Sequence, residues 1–189
     1  MRLEEFAALR ATIRERGTAR VWFFWAGLVG WATIVVVETA INSLPVLSLV
    51  PLLVLAATFE GVFALHTGVE RVGRYLQVMF EETREPGDEG LRWETAAMAF
   101  GRLFPARGPD PLFSGYFVLA AVLNLIPVAL AGPVPAELGL LGVIHLIFIV
   151  RLFRARSVAA GQRARDLERF RLLAREVSHT TSGSTGSSD

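Results

Sequence analysis

Apolar residues gather in four long blocks along this chain, and each block is bounded by charged or turn-forming residues. A run of about 20 predominantly apolar residues makes a helix long enough to cross the hydrocarbon core of a bilayer. We therefore predict transmembrane helices over residues 21–41, 46–67, 112–131 and 138–152. The predicted fold class is all-α, an integral membrane four-helix bundle over residues 21–153.

The second apolar block continues into an amphipathic stretch with no Gly-Pro or Asn-Gly pair between them. This pattern predicts one long helix over residues 45–82. Small residues recur along it at Ala57, Gly61, Ala64 and Gly68, and this four-residue spacing allows a neighbouring helix to approach closely. We therefore expect the polar side of the helix to face protein or water rather than lipid.

The segments outside the apolar blocks have patterns of their own. Residues 1–20 are typical of an amphipathic helix on the inner membrane surface. Residues 83–111 read as a charged loop that contains a short helix with Trp93 on its apolar side. We expect that helix to rest on the membrane surface or to cap the bundle. Residues 179–189 are expected to form a disordered tail.

A further amphipathic helix is predicted after the fourth apolar block, over residues 154–178. An apolar stripe about three turns long runs along it, formed by Leu167, Phe170, Leu173 and Val177. Three elements could cover this stripe: another copy of the chain, the extension of the second helix, or a partner protein.

The positions of the basic residues predict the topology. All 19 are arginine: five precede the first apolar block, six lie between the second and the third, and eight occur from Arg151 onward. The two remaining connections contain none. Because cytoplasmic loops of membrane proteins are enriched in Lys and Arg, we expect both termini and the middle loop in the cytoplasm. The second and fourth helices then extend into the cytoplasm, and the chain is a multi-pass protein of the cell (inner or plasma) membrane.

Composition argues against several classes of function. The chain has no cysteine, which excludes disulfides and thiolate chemistry. The glycine-rich and nucleophile motifs of soluble enzymes are missing from the sequence, so an enzyme is the less favoured class and no cofactor is expected. A net charge of +1 gives no reason to propose nucleic acid as a partner. The expected partners are the lipid bilayer and either another copy of the chain or a partner membrane protein.

The candidate intramembrane polar site consists of Glu60, His145 and Asn124. Glu60 is about seven residues, or about 10 Å, from the cytoplasmic end of the second span, and His145 is at a similar depth in the fourth. A charge inside the hydrocarbon costs about 2.5–3.5 kcal/mol on insertion scales. We therefore expect both to face inward, with Glu60 paired to His145 or to Arg71. Asn124 is expected to hydrogen-bond a neighbouring helix, close to a kink at Pro127.

The amphipathic part of the second helix carries further candidates. His66, Glu70, Arg71 and Arg74 are expected to line a cytoplasmic vestibule. The i, i+4 spacing of His66 and Glu70 is compatible with a metal ion, but an ion pair between Glu70 and Arg74, also at i, i+4, is the more favoured use of that carboxylate. Glu38, near the outer end of the first span, is expected to belong to a hydrated helix terminus.

Three interpretations of the intramembrane residues remain open at the sequence level. In the first, the residues form a polar plug that sets helix register. In the second they form a proton or ion path, and in the third they bind a metal ion of unknown identity. The corresponding functional hypotheses are, in order, a structural or regulatory subunit that docks partners through its cytoplasmic helices, an oligomeric proton or ion channel or transporter subunit that uses the Glu60 and His145 pair, and a membrane-embedded metal-dependent enzyme.

Overall fold

The structure is a computed structural model, and it describes residues 2–41, 44–82, 93–103 and 110–184. Every regular element within these ranges is a helix. Three of the helices are long, and the second begins with a 3₁₀ turn and ends in a π-helical turn. The elements are α1 (Arg2–Ala40), the 3₁₀ turn Pro45–Ser48, α2 (Leu49–Leu76), the π-helical turn Gln77–Glu82, α3 (Trp93–Leu103), α4 (Ser114–Leu123), α5 (Leu125–Leu130) and α6 (Pro135–Ser184).

The chain divides into two compact units, each of which is described by itself. The apolar unit comprises Arg16–His66 and Pro109–Val158. The polar unit comprises Met1–Glu15, Thr67–Gly108 and Ala159–Asp189. This division follows the sequence pattern, because the apolar blocks fall in the first unit and the charged, amphipathic segments fall in the second.

Three helical segments are long and apolar enough to cross a membrane. They are Leu3–Ala40, Pro45–Glu82 and Pro135–Glu176. The expectation of an all-helical chain is confirmed for the described residues, and three of their helices have the length and composition of membrane spans. The number of crossings and the topology stay predictions. The remaining apolar block, predicted as a single span over residues 112–131, forms the shorter helical stretch Ser114–Leu130.

The break between α4 and α5 has a local cause in Pro127. A proline has no N–H to donate to the carbonyl four residues earlier, and its ring crowds that carbonyl. Helix α4 accordingly ends at Leu123, and the backbone N–H of Asn124 makes the last bond of this helix, 2.9 Å from the carbonyl oxygen of Ala120. The interruption expected from the sequence is therefore present, and Asn124 lies at it.

Two helices are longer than the sequence pattern suggested. Helix α1 is continuous, so the predicted surface helix over residues 1–20 and the first apolar block form one element. Helix α6 continues to Ser184, and residues 179–184, expected to be disordered, are helical. Apart from Pro135, which occupies the favourable first position of α6, neither helix contains a proline to stop it. Residues 185–189 lie outside the described ranges.

Aromatic side chains form the centre of the apolar unit. Phe24 of α1 stacks on Phe113 with ring centroids 4.3 Å apart. Phe117 of α4 meets Phe59 of α2 edge to face at 5.3 Å, and Phe148 of α6 meets Phe59 at 6.3 Å. Such edge-to-face pairs add about 0.5–1.5 kcal/mol each to the burial of apolar area. The core therefore joins all four of these helices.

Two glycines set the closest approach of α1 and α2. A Cβ atom on Gly27 would lie 2.1 Å from Oγ1 of Thr58, and one on Gly61 would lie 2.2 Å from the ring of Phe23. Neither distance is compatible with a side chain at the glycine. The small-residue spacing read from the sequence is thus used at Gly61 for packing against α1, whereas Ala57 and Ala64 are exposed.

The polar unit has a different construction. Tyr75 lies at its centre, with its ring 5.6 Å from that of Phe170 and 6.2 Å from that of Phe80, and Phe80 in turn meets Phe6 at 5.6 Å. The part of the predicted stripe at Phe170 is therefore covered by the extension of the second helix, one of the three partners considered above. Leu173 of the same stripe is 49% exposed, and the side chain of Val177 lies outside the described residues.

Ion pairs reinforce the same contact within the polar unit. Three charged residues on the extension of the second helix each meet an oppositely charged residue of α6. The pairs are Arg71 with Asp166 at 3.2 Å, Glu70 with Arg163 at 2.7 Å and Glu82 with Arg171 at 2.8 Å.

Candidate functional site

A buried hydrogen-bond network connects four elements of the apolar unit at Asn124. The indole Nε1 of Trp31 donates to Oδ1 of Asn124 at 3.2 Å. The amide nitrogen of Asn124 donates to the backbone oxygen of Ser48 at 2.8 Å and lies 3.0 Å from Nε2 of His145. Asn124 is fully buried, and His145 is 2% exposed. The expectation that Asn124 binds neighbouring helices agrees with this geometry.

The donors and acceptors of the network determine the state of His145. An indole N–H can only donate and a backbone carbonyl can only accept, so Trp31 and Ser48 fix the orientation of the Asn124 amide. The amide N–H₂ group then points at Nε2 of His145, which must accept. The other ring nitrogen, Nδ1, lies 2.7 Å from the carbonyl oxygen of Leu141 and must carry the proton. The network is satisfied by a neutral imidazole with both nitrogens engaged.

Glu60 is placed differently from the sequence expectation. Its carboxylate is 50% exposed, and its Oε2 accepts a hydrogen bond from Nη2 of Arg151 at 2.8 Å. It therefore pairs with neither of the two residues considered above, and it does not face inward. The reason is helical phase: Phe59 and Val62 are completely buried, and a rotation of about 100° per residue turns Glu60 away from that face. The guanidinium of Arg151 also lies 5.0 Å from the ring centre of Phe63.

The four residues of the predicted vestibule are divided between the two units. His66 lies in the apolar unit, whereas Glu70, Arg71 and Arg74 lie in the polar unit. His66 is buried in the apolar unit, where its Nδ1 lies 3.2 Å from Nη1 of Arg20. In the polar unit, Arg71 pairs with Asp166 as described above. Glu70, also in the polar unit, lies 3.6 Å from Arg74, so the expected i, i+4 contact is present.

Arg74 is the most deeply buried cation of the polar unit, at 6% exposure. Its Nη1 donates to Oε1 of Gln77 at 2.8 Å, while Nη2 faces Glu70. Its Nε has no hydrogen-bond partner in the described part of the chain. Burial lowers the pKa of Arg74, and the carboxylate of Glu70 opposes that shift. Gln77 begins the π-helical turn, and π-helical turns within α-helices occur frequently at functional sites.

The buried carboxylate of Glu81, in the polar unit, caps α3. Glu81 accepts hydrogen bonds from the backbone N–H of Glu94 at 2.7 Å, from the backbone N–H of Thr95 at 2.8 Å and from the hydroxyl of Thr95 at 2.7 Å. These are N–H groups of the first helical turn, which have no partner inside the helix. A carboxylate there also interacts favourably with the helix dipole. The role of Glu81 was not predicted, because a Glu-Glu dipeptide at a helix end does not indicate which other helix it caps.

Glu94, the neighbour of this cap, pairs with Arg10 of α1 at 3.0 Å. Burial raises the pKa of the Glu94 carboxyl, and the cation of Arg10 opposes the shift. Glu94 is thus held at the start of α3 by one ion pair, in a position where ionisation is penalised. The same helix exposes Trp93 by 59% and Phe100 by 64%. The expectation that this apolar side rests on the membrane surface stays a prediction.

Glu38 is buried rather than hydrated. Its side chain, in the apolar unit, is 7% exposed, and Oε2 has no hydrogen-bond partner among the described residues. The sequence placed Glu38 at a hydrated helix terminus, but α1 continues to Ala40 and carries the carboxylate on the same side of the helix as Trp31, seven residues earlier.

Metal coordination finds no support in the described part of the chain. No group of three or more His, Asp or Glu side chains there is arranged to hold a metal ion. His66 and Glu70, the candidate pair, each contact arginine side chains instead.

Surface depressions occur in the polar unit. One of about 330 Å³ is lined by Val78, Glu82, Arg171, Ala174 and Arg175. It lies between the π-helical turn and α6, and the Glu82 to Arg171 ion pair forms part of its wall. It is an open depression rather than an enclosed ligand cavity.

No protein-family model, curated protein or solved structure matches this chain.

Proposed function

We propose that the chain is a four-pass protein of the cell membrane, with both termini in the cytoplasm, and that it acts as a structural or regulatory subunit. Three helices of suitable length and composition support the crossings. Helices α4 and α5 supply the fourth, since the stretch from Ser114 to Leu130 spans about 25 Å at 1.5 Å per residue. The confinement of arginine to one set of connections supports the orientation.

The hydrogen bonds of Asn124 support a structural role for the intramembrane polar residues. A group that relays protons must exchange its partners or change its charge. His145 instead uses one nitrogen as donor and the other as acceptor, and Asn124 has a partner for both amide protons. In a medium without water, such a saturated neutral network sets the register of the helices that it joins.

An exposed surface on α6 is the observation that carries the proposed function. Leu172 and Leu173 are 53% and 49% exposed. Arg165 and Arg169 are exposed on the preceding turns, and neither makes an ion pair or hydrogen bond in the described part of the chain. An apolar pair next to two unpaired cations is complementary to a helix that carries apolar and acidic residues. The proposed partner is such a helix of another protein.

Site-specific cross-linking tests this proposal. A photoreactive amino acid at Leu172 should cross-link one protein through an acidic, apolar segment identified by mass spectrometry. The same group at Leu3, an 82% exposed leucine of the polar unit, serves as the control. The variant Arg165→Glu/Arg169→Glu should abolish the cross-link, whereas Arg14→Glu, at another exposed arginine of the polar unit, should preserve it. Equal cross-linking from Leu3, or survival in the double variant, would contradict the proposal.

A proton or ion path is the second candidate, and Glu38 is the observation in its favour. A buried carboxyl oxygen without a partner inside a membrane protein is costly and often marks an ion pathway. Purified protein in liposomes would then show a pH-driven flux that Glu38→Gln removes and that Glu60→Gln, at the exposed ion pair, leaves in place. The absence of flux from the unmodified protein would discard this candidate.

A further inference from the structure

The apolar unit carries an exposed ion pair on its surface. Glu60 and Arg151 are 50% and 36% exposed, and their charged atoms are 2.8 Å apart. If α2 crosses the bilayer as proposed, Glu60 lies about 10 Å inside the hydrocarbon, so the pair faces acyl chains that cannot hydrogen-bond to it. The pair is therefore incompletely compensated when a single copy is surrounded by lipid.

The surface around Glu60 has the shape of a helix-packing face. Leu53 is 69% exposed, and Ala57 and Ala64 are exposed one turn before and one turn after Glu60. Their spacing places them on one side of α2. Alanine at these positions lets a second helix approach closely, which is how helices associate in membranes, where the hydrophobic effect does not drive them together.

Charge determines the partner that fits this face. The face presents one carboxylate and one guanidinium, so a second copy related by a two-fold axis presents the same two groups in the opposite order. Glu60 of each copy can then meet Arg151 of the other, and no net charge is introduced at the contact. We propose that the face formed by Leu53, Ala57, Glu60, Ala64 and Arg151 is the interface of a homodimer within the membrane. This inference rests on the membrane crossings of the proposed function, but not on the docking of a partner at α6.

Cysteine cross-linking of the full chain in membranes tests the dimer directly, because the chain contains no cysteine of its own. Ala57→Cys lies on the proposed face. Val29→Cys, at a 61% exposed position of α1 at comparable depth, is the matched control. Mild oxidation should give about tenfold more disulfide-linked dimer from Ala57→Cys than from Val29→Cys, since a disulfide requires Cα atoms within about 7 Å. Equal yields from the two variants would overturn the proposal.

A charge exchange provides a second test with its own internal control. In the Ala57→Cys background, Glu60→Arg should lose the cross-link, and so should Arg151→Glu. When the two differently tagged variants are made in the same cell, the mixed pair should cross-link, because arginine of one copy again faces glutamate of the other at both contacts. Only a contact between copies is restored by this mixture, since neither chain regains its internal pair. Failure of the mixed pair to cross-link, or cross-linking of Ala57→Cys to a different protein, would overturn the proposed homodimer.

The same cysteines separate the dimer from the membrane topology on which it depends. A thiol reagent that requires water should leave both Ala57→Cys and Val29→Cys unlabelled if α1 and α2 cross the bilayer. Labelling of both would refute the crossings themselves. Protection of both without preferential cross-linking at Ala57→Cys would retain the crossings and refute the dimer.

Discussion

The two units of this protein hold their polar groups in opposite ways. The apolar unit joins Trp31, Ser48, Asn124 and His145 through neutral hydrogen bonds in which every group has a partner. The polar unit instead relies on ion pairs, such as Glu70 with Arg163 and Glu82 with Arg171, whose members are partly exposed. Water can complete the solvation of a half-exposed ion pair, but nothing in an apolar environment can do so.

The ion pairs of Glu60 with Arg151 and of Asp110 with Arg156 depart from this pattern, because both lie in the apolar unit. An ion pair that faces an apolar environment needs further cover, and the proposed dimer supplies it for Glu60 and Arg151. Four experiments test this difference between the two units, and they are ordered by decreasing expected effect.

Replacing Asn124 should have the largest effect. Asn124→Leu leaves the Trp31 N–H, the Ser48 carbonyl and one nitrogen of His145 without their partner, and each buried unpaired group costs about 1–3 kcal/mol. Because unfolded membrane helices also find other partners, we expect a net loss of about 3 kcal/mol. Unfolding of purified protein in a denaturing detergent measures it. Leu130→Ala, at a 70% exposed position of α5, should change stability little, and an equal loss in both variants would contradict the structural role of the network.

The close approach of α1 and α2 predicts the next largest effect. A methyl group at Gly27 would overlap the side chain of Thr58 at 2.1 Å, whereas at Gly30 the nearest side-chain atom, in Val54, is 4.0 Å away. Forcing the helices apart to admit a methyl group costs about 1–3 kcal/mol. Gly27→Ala should therefore lower the detergent concentration of half-unfolding, and Gly30→Ala should leave it unchanged or raise it slightly through its better helix propensity. The reverse order would show that α1 and α2 do not pack as described.

Removal of the cap on α3 should act locally in the polar unit. Glu81→Ala takes away three hydrogen bonds at the start of α3 and should cost about 1–2 kcal/mol of local stability. Hydrogen exchange should become faster in Trp93–Leu103 and change little elsewhere. Glu82→Ala is the matched control, because this adjacent carboxylate binds Arg171 of α6 rather than α3. If both variants accelerate exchange in α3 equally, the cap is not the cause.

Acid should produce the smallest effect, and it should act on the ion pairs of the polar unit. The hydrogen bond from Arg171 lowers the pKa of Glu82 below its ordinary value of 4.5. The contact therefore contributes fully above that ordinary value and is lost as the pH falls through the lowered pKa. Glu94 has the opposite sign, because burial raises its pKa, so protonation as the pH falls favours the folded state there. Carboxyl titration by NMR should give a pKa for Glu82 below that for Glu94, and Arg171→Gln should raise only the former.

Much of the fold was accessible from the pattern of apolar residues. The long helices, the short α3 and the interruption near Pro127 follow from block length, amphipathic spacing and the chemistry of proline. Asn124 and His145 were also singled out, because polar residues are rare within apolar blocks. Their connection to Trp31 and to the backbone of Ser48 was not predictable, since an indole and a carbonyl give no signal in a sequence that identifies their partner.

Glu60 shows where reasoning from one helix fails. Glu60 was expected to face inward and to pair with His145 or Arg71, and both expectations were wrong, although Glu60 does have an oppositely charged partner. The choice of partner depends on how each helix is rotated, and that rotation is set by the packing of Phe59 and Val62 into the aromatic core. The resulting partner, Arg151, had been regarded only as a residue at the end of a span.

The sequence by itself determined which segments are apolar enough to lie in a membrane and which are polar, because the free energy of transferring a side chain between water and hydrocarbon depends on that side chain and little on its neighbours. It therefore determined that the chain is helical, which segments are apolar and where the charges accumulate. Only the tertiary structure decided which polar groups meet, including the neutral network at Asn124, the cap at Glu81 and the exposed pair of Glu60 with Arg151. Hydrogen bonds and ion pairs act over about 3 Å, so they depend on rotations and offsets of whole helices that no local pattern encodes.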